Sequence, residues 1–391
     1  MGEILFKRTL HPVGHGAFFT EQFFSKEEGI SSINVVYDCG SLHSRSASVP
    51  SVISNEIKIS FDNDEHIDMV FISHFDNDHV NGLMGLLGEG RNKRMDSRTH
   101  VFIPFKYPYL ILVMEDDYPE FCEFIRAGIK NGVHFIGVDI GDEVSYINID
   151  DSKFIEGNGS LSFGISEKFI NVFYLGNQIW HYMPFMRERS LNHVGDFYKR
   201  IKKELPDINL NNVEHILDNA NFSSLKKIYK EIGHTENGVT RININSLLML
   251  SFPSRDIQTE QTYIQNPFYK NWHGMDSPYS SIPPSCLYTG DTSLSSDLNI
   301  INHCVCELKK HSGDFKIGMM QIPHHGSKYC YNQNIASSQY VFSAFLNFLQ
   351  KKNDNSSKII ADFSQNNKSV FLITKDCNSR FVLKIKINTN N

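Results

Sequence analysis

The chain has 391 residues, 40% hydrophobic and 21% charged, with 38 basic against 44 acidic residues and a formal charge of −6. Such a balance describes a globular chain with a full core and excludes a protein that coats long duplexes through a basic surface. Seven cysteines without a CxxC pair argue against a disulfide framework or zinc ribbon, and no apolar run reaches the ~20 residues that cross a bilayer.

The opening MGEILFKRTL has neither the apolar core nor the cleavage site of a signal peptide, so a reducing, cytoplasmic location is expected. The first ninety residues then read as strands and tight turns. HPVGHGAFFTEQFF alternates glycines with aromatics, INVVYDCG is an apolar strand ending in a turn, and MVFISH repeats that grammar. DHVNGLMGLLGEG changes to helical spacing at Val80, Leu83, Met84, Leu86 and Leu87. VFIPF and VHFIGVDI predict further strands, and YLILVM at 109–114 a buried strand or helix segment. From about 186 to 240 charged helices take over, such as VGDFYKRIKKEL and SSLKKIYKEIG. INSLLMLSF at 244–252 returns to strand character. A polar loop to about 284 follows, then CLYTGDTS and KIGMMQIPHHGS. Three short strand-like pieces, IIADFS, SVFLIT and RFVLKIKI, close the chain. Strands at both ends with helices between them predict a layered α/β chain carrying a helical insertion. The basic stretches at 91–94, 199–203 and 226–230 read as solvated faces before they read as nucleic-acid contacts.

ISHFDNDHVNGL, residues 72–83, sets His74, Asp76, Asp78 and His79 between two apolar segments. Ionised aspartates two residues apart repel, and a divalent cation removes the conflict by accepting carboxylate oxygens and imidazole nitrogens together. Other stretches share the grammar of apolar strand, turn, then ligand-type residue. TGDTS offers Asp291, PHHGS offers His324 and His325, and YDCGS offers Asp38. Ligands delivered by several strand ends to one rim make a rigid metal site. Their joint occurrence is the specific signal, since a lone HH or GD would mean little.

ISHFDNDHVNGL resembles the HxHxDH motif of the metallo-β-lactamase superfamily, in the HxDxDH variant of its ComEC-like branch. HPVGHGAFF, VVYDCGS, NINSLLML, LYTGDTS and IPHHGSK are similar to five further motifs of that branch in the same order, and the tail resembles its closing hairpin. The resemblance covers roughly residues 8–105 and 243–390. It implies a four-layer αββα sandwich with its halves at 1–185 and 243–391 and a helical insertion at 186–242. It also implies one or two divalent metal ions, Zn²⁺ or Mn²⁺, held by His74, Asp76, Asp78, His79, Asp291 and one histidine of HHGS. Asp291 would bridge the ions, and Asp38 would hold a ligand imidazole by its other N–H. His325 is the favoured ligand and His324 the adjacent acid, although the sequence leaves that choice open. Position 76 is Asp where most of the superfamily has His, which brings Mn²⁺ in as a rival to Zn²⁺. The superfamily's third histidine has no clear match. His181 is the best-placed candidate and His134 another, each against the plainer reading of a packed histidine. His11 and His15 flank a glycine turn, either lining the cleft or capping the turn. Asn243, Asn245 and Ser246 offer phosphate contacts or close a backbone turn, and Ser327 offers a small side chain and a backbone N–H to an oxyanion.

A divalent ion lowers the pKa of bound water towards ~7, which suits phosphodiesters, esters, lactones and thioesters alike. The ComEC-like branch is associated with phosphodiester chemistry. The expectation is therefore a metal-dependent phosphodiesterase acting on nucleic acid or a nucleotide, through Asp78, Asp291 and His324. An ester or lactone hydrolase of the same fold, or a metal-binding regulatory subunit, are the alternatives. No membrane partner is expected, and the helical insertion is a candidate substrate cap or protein-docking face.

Overall fold

A computed structural model describes residues 3–25, 32–42, 50–62, 65–138, 154–155, 161–166, 168–186, 192–233, 246–265, 282–294, 298–347 and 355–389. The strands fall into two mixed sheets. In the first, eight strands lie in the order Gln258–Gln265, Phe381–Asn388, Glu3–Leu10, Phe18–Ser25, Ile33–Cys39, Met69–Phe71, His100–Ile103 and His134–Gly137. Neighbours are antiparallel as far as Ile33–Cys39 and parallel from there on. In the second, nine strands lie in the order Ser369–Ile373, Val341–Asn347, Ile317–Gln321, Cys286–Tyr288, Leu247–Pro253, Asn177–Met186, Ile170–Tyr174, Leu161–Ile165 and Phe154–Ile155. Here the first four are parallel and the rest antiparallel.

Alternation along the strands sets the layers. Val35 and Tyr37 turn inward, where Tyr37 stacks on Tyr288 of the other sheet at 5.0 Å, and Phe6 stacks on Trp180 at 4.2 Å. Val36, Val70 and Val101 turn outward into a second cluster with Ile53, Leu86, Phe121 and Ile125 from helices. Leu248, Leu250, Met320 and Ala344 do the same on the far side, against Ile301, Val305, Ile359 and Phe363. Strands apolar on both faces need cover on both, so each sheet lies between its partner sheet and a helical layer. An ion pair crosses this dry interior. Arg8 Nε meets Glu21 Oε1 at 2.7 Å, both side chains are buried, and Tyr288 and Ser251 of the other sheet donate to the same carboxylate.

Three sequence readings are corrected. IIADFS is not a strand but part of the helix Ser356–Gln365, which buries Ile359 and Phe363 at helical i, i+4 spacing. The tail is not a hairpin: Ser369–Ile373 pairs within the second sheet, whereas Phe381–Asn388 pairs with Glu3–Leu10 in the first. Finally, the polar stretch before residue 284 contains the strand Gln258–Gln265, at the edge of the first sheet.

The helices Asn192–Glu204, Val213–Leu217 and Asn219–Gly233 are inserted between two paired strands of the second sheet, yet Phe197, Ile201, Leu225 and Ile228 join the outer layer of the first. Their lysines are largely engaged. Lys226 and Lys230 pair with Asp116, and Arg200 with Glu204 and Glu231. Among the described residues no helix is long and apolar enough to cross a membrane.

Candidate metal centre

Four loops converge at one rim, each leaving the carboxyl end of a parallel strand. Ile33–Cys39 delivers Asp38, Met69–Phe71 delivers His74, Cys286–Tyr288 delivers Asp291 and Ile317–Gln321 delivers the paired histidines. The loops are tied across the sheets by Leu247 N–H donating to Ser73 O at 2.7 Å, and within the second sheet by His324 N–H donating to Gly290 O at 3.1 Å. Gln321 lies buried and its Oε1 accepts from the N–H groups of Thr289 and Gly290, which fixes the turn before Asp291.

Asp78 and His79 sit on a one-turn helix, Asn77–Val80. Its backbone presses against two glycines. A Cβ on Gly40 would come within 2.4 Å of the Asp78 carbonyl carbon and the His79 nitrogen, and one on Gly16 within 2.8 Å of Asp78 O. Ala17 N–H donates to that same oxygen at 3.1 Å. The glycines of VGHG and DCG are thus the contact surface on which the ligand helix rests.

Two groups of ligand atoms result. His74, His79 and Asp291 form one, and His15, Asp78 and His325 the other, with the atoms of each group within 4.8 Å of one another. His79 Nε2 lies 3.4 Å from Asp291 Oδ1 and His74 Nε2 3.6 Å from Asp291 Oδ2. In the second group His325 Nε2 lies 3.2 Å, and His15 Nε2 3.4 Å, from Asp78 Oδ2. Donor atoms around a tetrahedral ion with bonds of about 2.1 Å stand about 3.4 Å apart, so this spacing fits a cation. The groups adjoin, His325 Nε2 being 4.0 Å from Asp291 Oδ1.

The remaining ring nitrogens decide which way the imidazoles face. His79 Nδ1–H donates to Asp38 Oδ2 at 2.8 Å. Ser73 Oγ–H donates to the same oxygen at 2.6 Å, which leaves Ser73 Oγ to accept from His74 Nδ1–H at 2.9 Å. Both Nε2 lone pairs are therefore turned inward. There His74 Nε2, His79 Nε2 and Asp291 Oδ1 are buried and have no hydrogen-bond partner. Buried polar atoms are almost always satisfied, and three orphans at one point fit the donor set of a cation.

Charge follows the same logic. Burial by itself would raise the Asp291 carboxyl, but the imidazoles of His74, His79 and His325 hold it well below its ordinary value. Asp78 is lowered in the same way by His325 and His79 against its own burial. His79 is raised, because Asp38 and Asp291 outweigh the burial that disfavours its cation. His324 is about half exposed, its Nε2 is 3.5 Å from Asp291 Oδ2 and its Nδ1 meets Cys330 Sγ at 3.2 Å. The Cys330 contact, with help from Asp291, raises it to about 9.

Of the residues singled out in the sequence, His74, Asp78, His79, Asp291 and His325 come together, with Asp38 behind His79 and His324 at the rim. Ser246 faces inward too, but its Oγ accepts from Asp291 N–H at 3.1 Å, a turn-closing role. Asp76 belongs to neither group. Its side chain is 64% exposed, with Oδ2 3.6 Å from His74 Nε2. His181 lies elsewhere, its ring bonded to Asn171 and Ser254 and stacked on Phe252, and His134 is exposed beside His100. Ser327 N–H is already given to His324 O at 2.8 Å, so the backbone donor expected for an oxyanion is spent. Asn243 and Asn245 lie outside the described residues. His11 is buried between Glu56 and Thr20 in a structural network.

His15 is the ligand-type residue that the motifs left underweighted. A single histidine in a glycine turn carries no spacing signal, whereas its ring lies 4.3 Å from that of His325 in space. Ser73 and Cys330, which orient His74 and His324, were likewise invisible before folding. No protein-family model matches this sequence, and no curated protein matches it either.

Proposed function

We propose that the chain is a metal-dependent hydrolase, a phosphodiesterase acting on nucleic acid or a nucleotide, built on an αββα sandwich of the metallo-β-lactamase kind. The observation that carries this reading is the meeting of three orphaned buried atoms, His74 Nε2, His79 Nε2 and Asp291 Oδ1. Donor sets of two imidazoles and one carboxylate suit Zn²⁺ and Mn²⁺. Divalent cations held there supply Lewis acidity and an activated water at neutral pH.

The chain's own residues do the rest. Asp38 and Ser73 fix the tautomers and angles of His79 and His74. Asp78 and Asp291 stay ionised and provide the negative charge that a cation pair needs. His324 stands exposed at the rim, anchored by Cys330, where its ring can hand a proton to a leaving oxygen. A phosphodiester is preferred to a carboxylic ester because the two ligand groups adjoin, His325 Nε2 lying 4.0 Å from Asp291 Oδ1, so that together they would hold two cations, which would supply the positive charge a phosphoryl displacement needs.

The test is elemental analysis of the purified protein, followed by assays with Mn²⁺ or Zn²⁺ on single-stranded DNA, RNA, bis(p-nitrophenyl) phosphate and a p-nitrophenyl ester. The expected outcome is bound metal and phosphodiester cleavage that D78A and D291A abolish. Cleavage surviving both substitutions, or turnover of the ester alone, would overturn the assignment.

A further inference from the structure

The parallel strands of the second sheet have another rim, at their amino ends, where Ile317, Val341 and Ser369 begin. It is separated from the paired histidines by the length of the strand Ile317–Gln321, about 17 Å at the usual rise per residue. A cavity of about 670 Å³ opens there. Lys309, Lys316 and Lys368 line it, and no Asp or Glu does. Among the described residues none of the three ammonium groups has a carboxylate partner.

Three cations gathered without a counter-ion repel one another. Burial and the neighbouring Lys316 both lower the Lys368 pKa. Lys368 is nevertheless held in place, since its Nζ donates to Ser338 O. The lining is also aromatic. Phe315 is 63% exposed, an unusual state for so apolar a ring, and Lys309 Nζ lies 5.5 Å from its centroid. Tyr340, Gln339 and Asn366 complete the wall, with Asn366 Nδ2 donating to Asp362 O at 2.8 Å.

We propose that this cavity binds a nucleotide, with its phosphates among Lys309, Lys316 and Lys368 and its base against Phe315 and Tyr340. The volume falls within the range of small-ligand sites, about 300–1,000 Å³. Ammonium groups without a carboxylate partner supply the charge for phosphate, and an exposed ring supplies a stacking platform. Because the site is on the opposite rim from the metal centre, it stands whatever reaction that centre performs.

Isothermal titration of the full chain with ATP, adenosine, tripolyphosphate and a ten-residue oligothymidylate tests this. ATP is expected to bind saturably and more weakly as salt rises. K309Q/K316Q, two exposed substitutions that leave the melting temperature in place, should weaken ATP at least about tenfold. F315A should weaken ATP about fivefold while leaving tripolyphosphate unchanged. Binding of ATP at the metal centre would be unaffected by all three substitutions, so it cannot imitate this pattern. The proposal is overturned by equal ATP affinity in K309Q/K316Q, or by no saturation at millimolar ATP. It also fails if F315A is without effect, or if the oligonucleotide binds more tightly and displaces ATP.

Discussion

Asp38 adopts a left-handed backbone, φ +54°, at full burial, and its carboxylate takes three short hydrogen bonds, from Ser73 N–H, Ser73 Oγ–H and His79 Nδ1–H. A strained, buried acid is retained where the surrounding structure over-determines it. Its task here is to aim an imidazole, so D38N, which loses one acceptor oxygen, should lower metal affinity about 10–100-fold. Metal titration followed by calorimetry reads this directly. The placement of His15 and His181 makes a paired prediction: H15A should remove about one equivalent of bound metal, whereas H181A should leave the metal content as it is. Plasma emission on the purified variants distinguishes them. H324Q should retain full metal occupancy while kcat falls about 10²–10³-fold, as for loss of a general acid.

Among the elements, the one-turn helix Asn77–Val80 is too short to be stable by its own hydrogen bonds. Its position comes from the loops beneath it. G40A would drive a methyl group into the Asp78–His79 peptide, and the expected cost is about 1–3 kcal/mol together with loss of metal binding. Denaturant unfolding with and without added metal measures both. The glycines of VGHG and DCG were visible in the sequence as turn formers. What could not be read was their partner, the backbone at Asp78, which lies far along the chain from both Gly16 and Gly40.

For the whole molecule, a buried ion pair and one half-buried carboxyl set stability. The Arg8–Glu21 pair is sealed between the sheets, and E21Q should destabilise the fold by about 3–5 kcal/mol by leaving a buried guanidinium uncompensated. Asp68 behaves oppositely. Burial, only partly offset by the N–H of Asn34, pushes its carboxyl up to about 7 from an ordinary 3.8. The folded protein thus keeps a proton that the unfolded chain has released. The contribution to stability is complete below about pH 4 and is lost as the pH rises through about 7. D68N should flatten that slope across the window, read from urea unfolding at a series of pH values.

The residue types of the centre and the strands that carry them were legible along the chain, because alternating apolar residues and turn glycines act locally. ISHFDNDHVNGL, TGDTS and PHHGS each announced a strand end with a ligand, and their spacing was enough to suggest one rim. Which atoms face which was decided only in three dimensions. His15 enters the second group and Asp76 stays outside both, while the Asp38–Ser73 hydrogen bonds turn the rings of His79 and His74. The closing strands part company for a similar reason. Phe381–Asn388 buries alternate residues and pairs along the whole of Glu3–Leu10, a partner at the opposite end of the chain. Local chemistry writes the pieces, and long-range burial chooses their neighbours.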